Sequence, residues 1–241
     1  MKLSVITACV FKDRTPIHWL DDSCKRFGID LRPYGLGESW TSWPDVKVTR
    51  MLECFKREKT AGYTHTLYTD GRDSFFVRPM KVAIEAYESM GKPSCLMATE
   101  PANYPRPELT DLFPDPGHKF RYLGAGQFIG ELDYLIWAWE MLQRDYPDGG
   151  TEPNNESGWM CHAFVTGKFG EGFKLDTDCQ IFQSVGNEDC IMGTDVFISS
   201  DGLFNKVTDS YPCIVHFNGG YSHPETGKEP VIRPVWEALF G

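Results

Sequence analysis

Two carboxylates, Asp70 and Asp73, stand where a run of β-branched and aromatic residues, 63–69, breaks at Asp70-Gly71. The run reads as a strand and the Asp-Gly pair as a turn. Ligands of open α/β sheets bind at the C-terminal ends of strands. Two neighbouring carboxylates repel unless positive charge lies between them, and a hard divalent cation shared with substrate phosphates is a common solution. The same residues also read as a solvated turn in which Asp73 caps the next element. Elsewhere, His216 ends a short apolar strand beside a glycine turn, a place where a lone histidine is more often structural than a ligand. Glu156 lies in the polar run 151–159 ahead of an apolar helix. There Asn154 or Asn155 suits an N-cap, and the helix dipole favours an ionised Glu156. Trp40 and Trp43 occupy a glycine-rich loop, 35–44, where a large ring either stacks on a flat ligand or covers the core.

The elements that must position these residues can be read from patterning. Residues 3–10 form a first strand, 15–27 a helix with Trp19, Leu20, Cys24 and Phe27 on one face, and 29–33 a second strand. That β-α-β start implies a parallel sheet with a right-handed crossover. A helix over 47–60 precedes the strand that ends at Asp70, and a further helix (79–90) and strand (94–99) come after it. A loop rich in Pro and Asp, 101–121, is long enough to read as a substrate loop or lid. Gly124, Gly126 and Gly130 interrupt a strand-like run, which permits a bulge or a close ligand approach. The remaining elements are a helix over 134–144, a strand and turn within 174–183, a Gly/Asp/Asn-rich connection, the strand bearing His216, and a tail from 221 with a short helix near 236–240.

With 241 residues and 41% hydrophobic content, the chain suits one globular domain with a sizeable core. A formal net charge of -10 argues against a broad basic surface for duplex nucleic acid. No apolar run reaches the roughly 18 residues of a membrane span. The segment 3–10 is followed at once by Lys12, Asp13 and Arg14, so it reads as a strand rather than a signal peptide. The eight cysteines include no CxxC pair, which argues against a zinc ribbon. Reduced thiols and a cytoplasmic location are the expectation.

Taken in order, five segments carry a family resemblance: Gly35-Leu36-Gly37-Glu38-Ser39-Trp40; the strand ending in Asp70 and Asp73; Tyr122-Leu123-Gly124-Ala125-Gly126-Gln127-Phe128-Ile129-Gly130; Asp178-Cys179-Gln180-Ile181-Phe182-Gln183; and Val215-His216-Phe217-Asn218-Gly219. In this order the chain resembles the glycosyltransferase domain of the procollagen lysyl hydroxylase/glycosyltransferase family, from about Leu3 to Gly220. The resemblance implies a GT-A fold, a Rossmann-like, mostly parallel sheet flanked by helices, as a single α/β domain. It implies a Mn²⁺ site (Mg²⁺ being the alternative) formed by Asp70, Asp73 and His216, which must be neutral to ligate, and a UDP-sugar donor of glucose or galactose. It places Trp40 against the nucleotide, Thr7 on the uracil, Asn218 and Gly219 near the diphosphate, and Tyr104 over the donor sugar. Gly71-Arg72 stands where the family encloses an aromatic, so Arg72 is aimed at the base or a phosphate. Asn155-Glu156 stands where the family has paired aspartates, which leaves Glu156 as the catalytic acid and Asn155 to orient a sugar hydroxyl. Asp176 and Asp178 are the remaining acidic candidates. The acceptor is a hydroxyl on a protein, a glycan or a modified nucleic-acid base, with no membrane involved. Two other activities share these features: a sugar-nucleotide-binding module without transfer, and a metal-dependent phosphohydrolase using Asp70 and Asp73.

Overall fold

The computed structural model describes residues 1–146, 156–185, 189–218 and 229–241. The chain opens with β1 (Leu3–Ala8), a 3₁₀ turn at Thr15–Ile17, α1 (His18–Arg26) and β2 (Leu31–Tyr34). Pairing of β1 with β2 is parallel, as the β-α-β reading requires. A π-helical turn, Asp45–Arg50, then leads into α2 (Met51–Thr60), where patterning predicts one regular helix. Next come β3 (His65–Thr69), β4 (Ser74–Phe76), α3 (Met80–Ser89), β5 (Cys95–Glu100), β6 (Tyr122–Glu131), α4 (Leu132–Asp145) and α5 (Glu156–Val165). The remainder is β7 (Phe173–Leu175), β8 (Phe182–Val185), β9 (Val196–Ser199), β10 (Gly202–Asn205), β11 (Ile214–Phe217) and α6 (Glu229–Phe240).

The main sheet has the order β2-β1-β3-β6-β5-β7. All its strands run one way except β6, which is antiparallel to both neighbours. Apolar residues on its two faces form separate clusters: Phe55, Tyr68, Phe128 and Trp139 pack under α2 and α4, whereas Leu20, Cys24, Tyr87 and Leu96 pack under α1 and α3. A three-stranded sheet, β4-β11-β8, stands beside it and carries the third cluster.

Two expectations are corrected. The Gly/Asp/Asn-rich connection holds a hairpin, β9–β10, whose turn closes at Gly202 with φ +117°, backbone that only glycine adopts readily. The tail is more than a short terminal helix: α6 starts at Glu229, and its Ile232 and Val235 are buried with Trp19, Phe75 and Phe217. Pro230 falls in its first turn, where the missing N–H costs nothing. All eight cysteines are buried free thiols, and no helix among the described residues is long and apolar enough to cross a membrane.

Candidate active site

The site forms where the two sheets meet. At the end of β3 the Asp70 N–H donates to the Gly126 carbonyl of β6 at 2.9 Å, and the Ser74 hydroxyl donates to the Asp70 carbonyl. Gly71 lets the chain turn there: a Cβ on it would lie 2.6 Å from Ile17 Cγ2 and 2.8 Å from Thr7 Oγ1. The chain then enters β4, and the Phe217 N–H of β11 donates to the Asp73 carbonyl at 2.7 Å. Antiparallel pairing sets His216 opposite Ser74. Two acids from one bend and an imidazole from a strand distant in sequence are thereby brought together. His216 Nε2 lies 3.4 Å from Asp73 Oδ1 and 3.7 Å from Asp70 Oδ2, and one ligand atom from each residue falls within 4.8 Å of the others.

Two carboxylate oxygens and an imidazole nitrogen in that span fit a divalent cation that tolerates mixed ligation. The clearance around them fits as well. The β5–β6 register slips between Met97↔Phe128 and Ala98↔Gly124, so Ala125, Gly126 and Gln127 lack register partners on β5. Such bulges recur beside active sites. At Gly126 a Cβ would lie 2.8 Å from His216 Nδ1 and 3.0 Å from Asp70 Oδ2, so only a glycine admits both ligands. The sequence signal, glycines inside a strand, allowed a bulge or a close approach, and the structure has both.

One residue that patterning misses stands at the centre. Lys47, only 4% exposed, forms an ion pair with Asp70 Oδ1. Tyr68 donates to the same oxygen through its hydroxyl. The ammonium also lies 4.8 Å from the Tyr68 ring centroid and 5.7 Å from that of Trp43. Lys47 belongs to the π-helical turn, whose Val46 and Val48 are buried too. Trp139 steadies the turn by donating its indole N–H to the Lys47 carbonyl at 2.9 Å. π-turns within helices are rare and concentrate at functional sites. In sequence, Lys47 looks like an ordinary solvated start to a helix.

Glu156 opens α5 and is buried at 4% exposure, with Oε2 unpartnered among the described residues. Burial pushes its carboxyl above the ordinary range. The Lys47 charge and the backbone N–H groups of Glu156 and Ser157 pull the other way, and Asp70 adds to the rise. The N–H groups of the helix start thus favour the ionised form, as the first-turn position implies, while desolvation opposes it. Lys47 and Asp70 are the two charged side chains that act on the Glu156 carboxyl.

Around this centre, Trp40 and Trp43 are 44% and 46% exposed, and neither belongs to a core cluster. Tyr104 is 65% exposed, in a loop whose Pro105 and Arg106 approach Gly158 in the first turn of α5. Arg72 is exposed, its guanidinium 5.7 Å from the Phe11 ring centroid. Thr7 is fully buried against Gly71, its hydroxyl unpartnered among the described residues. Asn218, two residues after His216, is buried with Oδ1 unpartnered among the described residues. Asn155 and Gly219 lie outside the described residues. Of the fallback acids, Asp178 is exposed, whereas Asp176 is buried and accepts N–H bonds from Gln180, Ile181 and Phe182 at 2.8–2.9 Å. Its carboxylate is committed to the turn before β8, and burial pushes its pKa up to about 6.

A mostly parallel sheet with one reversed strand, and an acid-and-histidine cluster at the end of a parallel strand, agree with the GT-A architecture expected from the sequence. The chain belongs to the PLOD GT domain family, which it matches over residues 1–224. It is 22% identical to bovine (Bos taurus) procollagen-lysine,2-oxoglutarate 5-dioxygenase 1, over 82% of this chain and 27% of that one. It is also 22% identical to the multifunctional procollagen lysine hydroxylase and glycosyltransferase of Caenorhabditis elegans, over 82% of this chain and 28% of that one. An uncharacterized protein of Acanthamoeba polyphaga mimivirus is 28% identical over 48% of this chain and 22% of its own length. The chain thus spans about a quarter of the length of these relatives. Among solved structures, a glycosyltransferase involved in glycosylation of the major capsid of PBCV-1 shares the fold, with a TM-score of 0.55 at 12% identity, covering 91% of this chain and 95% of that one.

Proposed function

We propose that the chain transfers a hexose, glucose or galactose, from a UDP-sugar to an acceptor hydroxyl, with Mn²⁺ held by Asp70, Asp73 and His216. The observation that carries this reading is the convergence of those three residues beside a buried lysine, in a chain of a glycosyltransferase family. The cation, when bound, supplies positive charge against the departing diphosphate. Imidazole ligation favours Mn²⁺ over Mg²⁺. The rest belongs to the protein's own side chains.

In the transfer, the bond between the sugar's anomeric carbon and the diphosphate oxygen breaks, and a bond from that carbon to the acceptor oxygen forms. The acceptor's proton passes to Glu156, whose unpartnered Oε2 is free to receive it. Lys47 opposes the effect of burial on Glu156 and pairs with Asp70. Trp40 offers an exposed face to the uracil, Asn218 a buried side-chain amide whose N–H can donate to the diphosphate, and Tyr104 an exposed ring over the sugar. Arg72, exposed at the same bend, supplies charge toward a phosphate.

The test is a thermal-shift panel of UDP-, GDP- and CMP-sugars with and without Mn²⁺, followed by release of UDP. Stabilisation by UDP-glucose or UDP-galactose that needs Mn²⁺, with slow UDP release, supports the reading. Stabilisation without UDP release indicates a binding module. Release of inorganic phosphate indicates a phosphohydrolase.

A further inference from the structure

We propose that Trp43 is a specificity-determining residue that receives the C–H face of a hexose ring at the site, an inference that rests on the function proposed above. The residues that hold its loop support this. Arg50, its side chain 19% exposed, reaches Glu38 at 2.5 Å, Asp45 at 2.8 Å and Thr41 at 3.3 Å, and Thr41 bonds Asp45 in turn. One guanidinium therefore ties the chain before, between and after the two tryptophans. The loop is fixed in a form that leaves both indoles about half in water. Apolar surface held out of the core by such a clamp marks a contact site for a ligand.

Geometry separates the roles of the two rings. Trp40 and Trp43 meet at 79° with centroids 4.6 Å apart, so one flat ligand cannot stack on both. A uracil on Trp40 leaves the Trp43 face for a different ring. Trp43 is also the indole whose ring adjoins the ammonium of Lys47, which bonds Asp70 and whose charge acts on Glu156. It stands at the reacting end of the site. The ring there is a saturated hexose, whose weakly positive C–H hydrogens suit the negative face of an indole. That hexose comes from either the donor or a sugar acceptor, and the two are separable.

The experiment compares wild type, Trp43→Ala and Trp43→Phe, all with Mn²⁺. One calorimetric titration uses UDP and UDP-glucose. A second adds methyl glucoside or methyl galactoside to the Mn²⁺–UDP complex. Trp43→Ala is expected to bind UDP as wild type does, and to lose about five-fold or more in affinity for the hexose, with partial recovery in Trp43→Phe. Loss confined to UDP-glucose assigns the ring to the donor, and loss confined to the methyl hexosides assigns it to the acceptor. Unchanged hexose affinity in both titrations, or an equal loss for UDP itself, overturns the proposal and leaves the transferase reading intact. Wild-type protein that binds neither UDP nor UDP-glucose overturns both.

Discussion

Gly126→Ala is the most direct perturbation of the proposed metal centre, because it adds one methyl group where the three ligands converge. That Cβ would lie 2.8 Å from His216 Nδ1 and 3.0 Å from Asp70 Oδ2, with His216 Cε1 closer still. Ordinary contact needs about 3.5 Å, so the imidazole must retreat by about 0.7 Å or more and the carboxylate by about 0.5 Å. Neither moves easily. The His216 side chain is 6% exposed within a central strand, and Asp70 is pinned by Lys47, Tyr68 and its own backbone bonds. Metal sites tolerate about 0.2 Å in ligand distance, so at least one ligand is lost.

Mn²⁺ affinity, measured by calorimetry or by the electron paramagnetic resonance of free Mn²⁺, should fall by about 10–100-fold or more. Overpacking should cost about 1–3 kcal/mol in stability, which chemical denaturation reads separately. Gly124→Ala is the control. Its Cβ would meet Glu100 Cγ at 2.9 Å and the Ala98 carbonyl at 3.4 Å, and none of Asp70, Asp73 and His216 is among its three nearest neighbours, so Mn²⁺ affinity should hold in the folded variant. Wild-type Mn²⁺ affinity in folded Gly126→Ala would refute the claim that Asp70 and His216 share one cation against this strand.

Other perturbations of the same molecule have equally definite outcomes. Lys47→Met removes the cation that compensates Asp70, so the metal-free protein should lose about 1–3 kcal/mol, and Mn²⁺ should raise its Tm by more than it raises that of wild type; an equal Mn²⁺ increment would count against charge compensation. Glu156→Gln should retain UDP-sugar binding and lose about 100-fold or more in turnover. Burial holds the Glu156 carboxyl above its ordinary range, so the acid limb of wild-type activity should lie above the roughly pH 4.3 of a free glutamate. Because the folded state binds this proton more tightly than the unfolded chain, Glu156 should reduce stability as pH rises through that same window, and Glu156→Gln should remove both effects. Trp236→Ala, which removes ring contacts at 5.2 Å to Trp19 and 5.2 Å to Phe75, should cost about 2–3 kcal/mol in stability while Mn²⁺ affinity stays within about two-fold.

Legibility in the sequence tracked the range of the interactions involved. Asp70 and Asp73 could be read at a strand end because a β-branched run and an Asp-Gly turn are local signals, and the opening β-α-β unit was legible for the same reason. The glycines of β6 announced a bulge or a close approach, although the atoms they make room for are 90 residues on, at His216. Lys47 gave no such sign. Its three-residue buried run, Val46-Lys47-Val48, suits a π-turn, but nothing in its composition distinguishes it from the start of a regular helix. The charge state of Glu156 shows the same limit from the other side. Its place in a first turn was visible, and a dipole acting alone favours the carboxylate. What opposes that preference is the loss of water around the side chain, which depends on residues from other elements packing over it. Lys47 acts on the Glu156 carboxyl across more than a hundred residues of chain, and only the fold shows that the same lysine pairs with Asp70. A site assembled over such distances is therefore read best from its local signals outward, with Asp70 and Asp73 locating it and the fold adding Lys47 and His216.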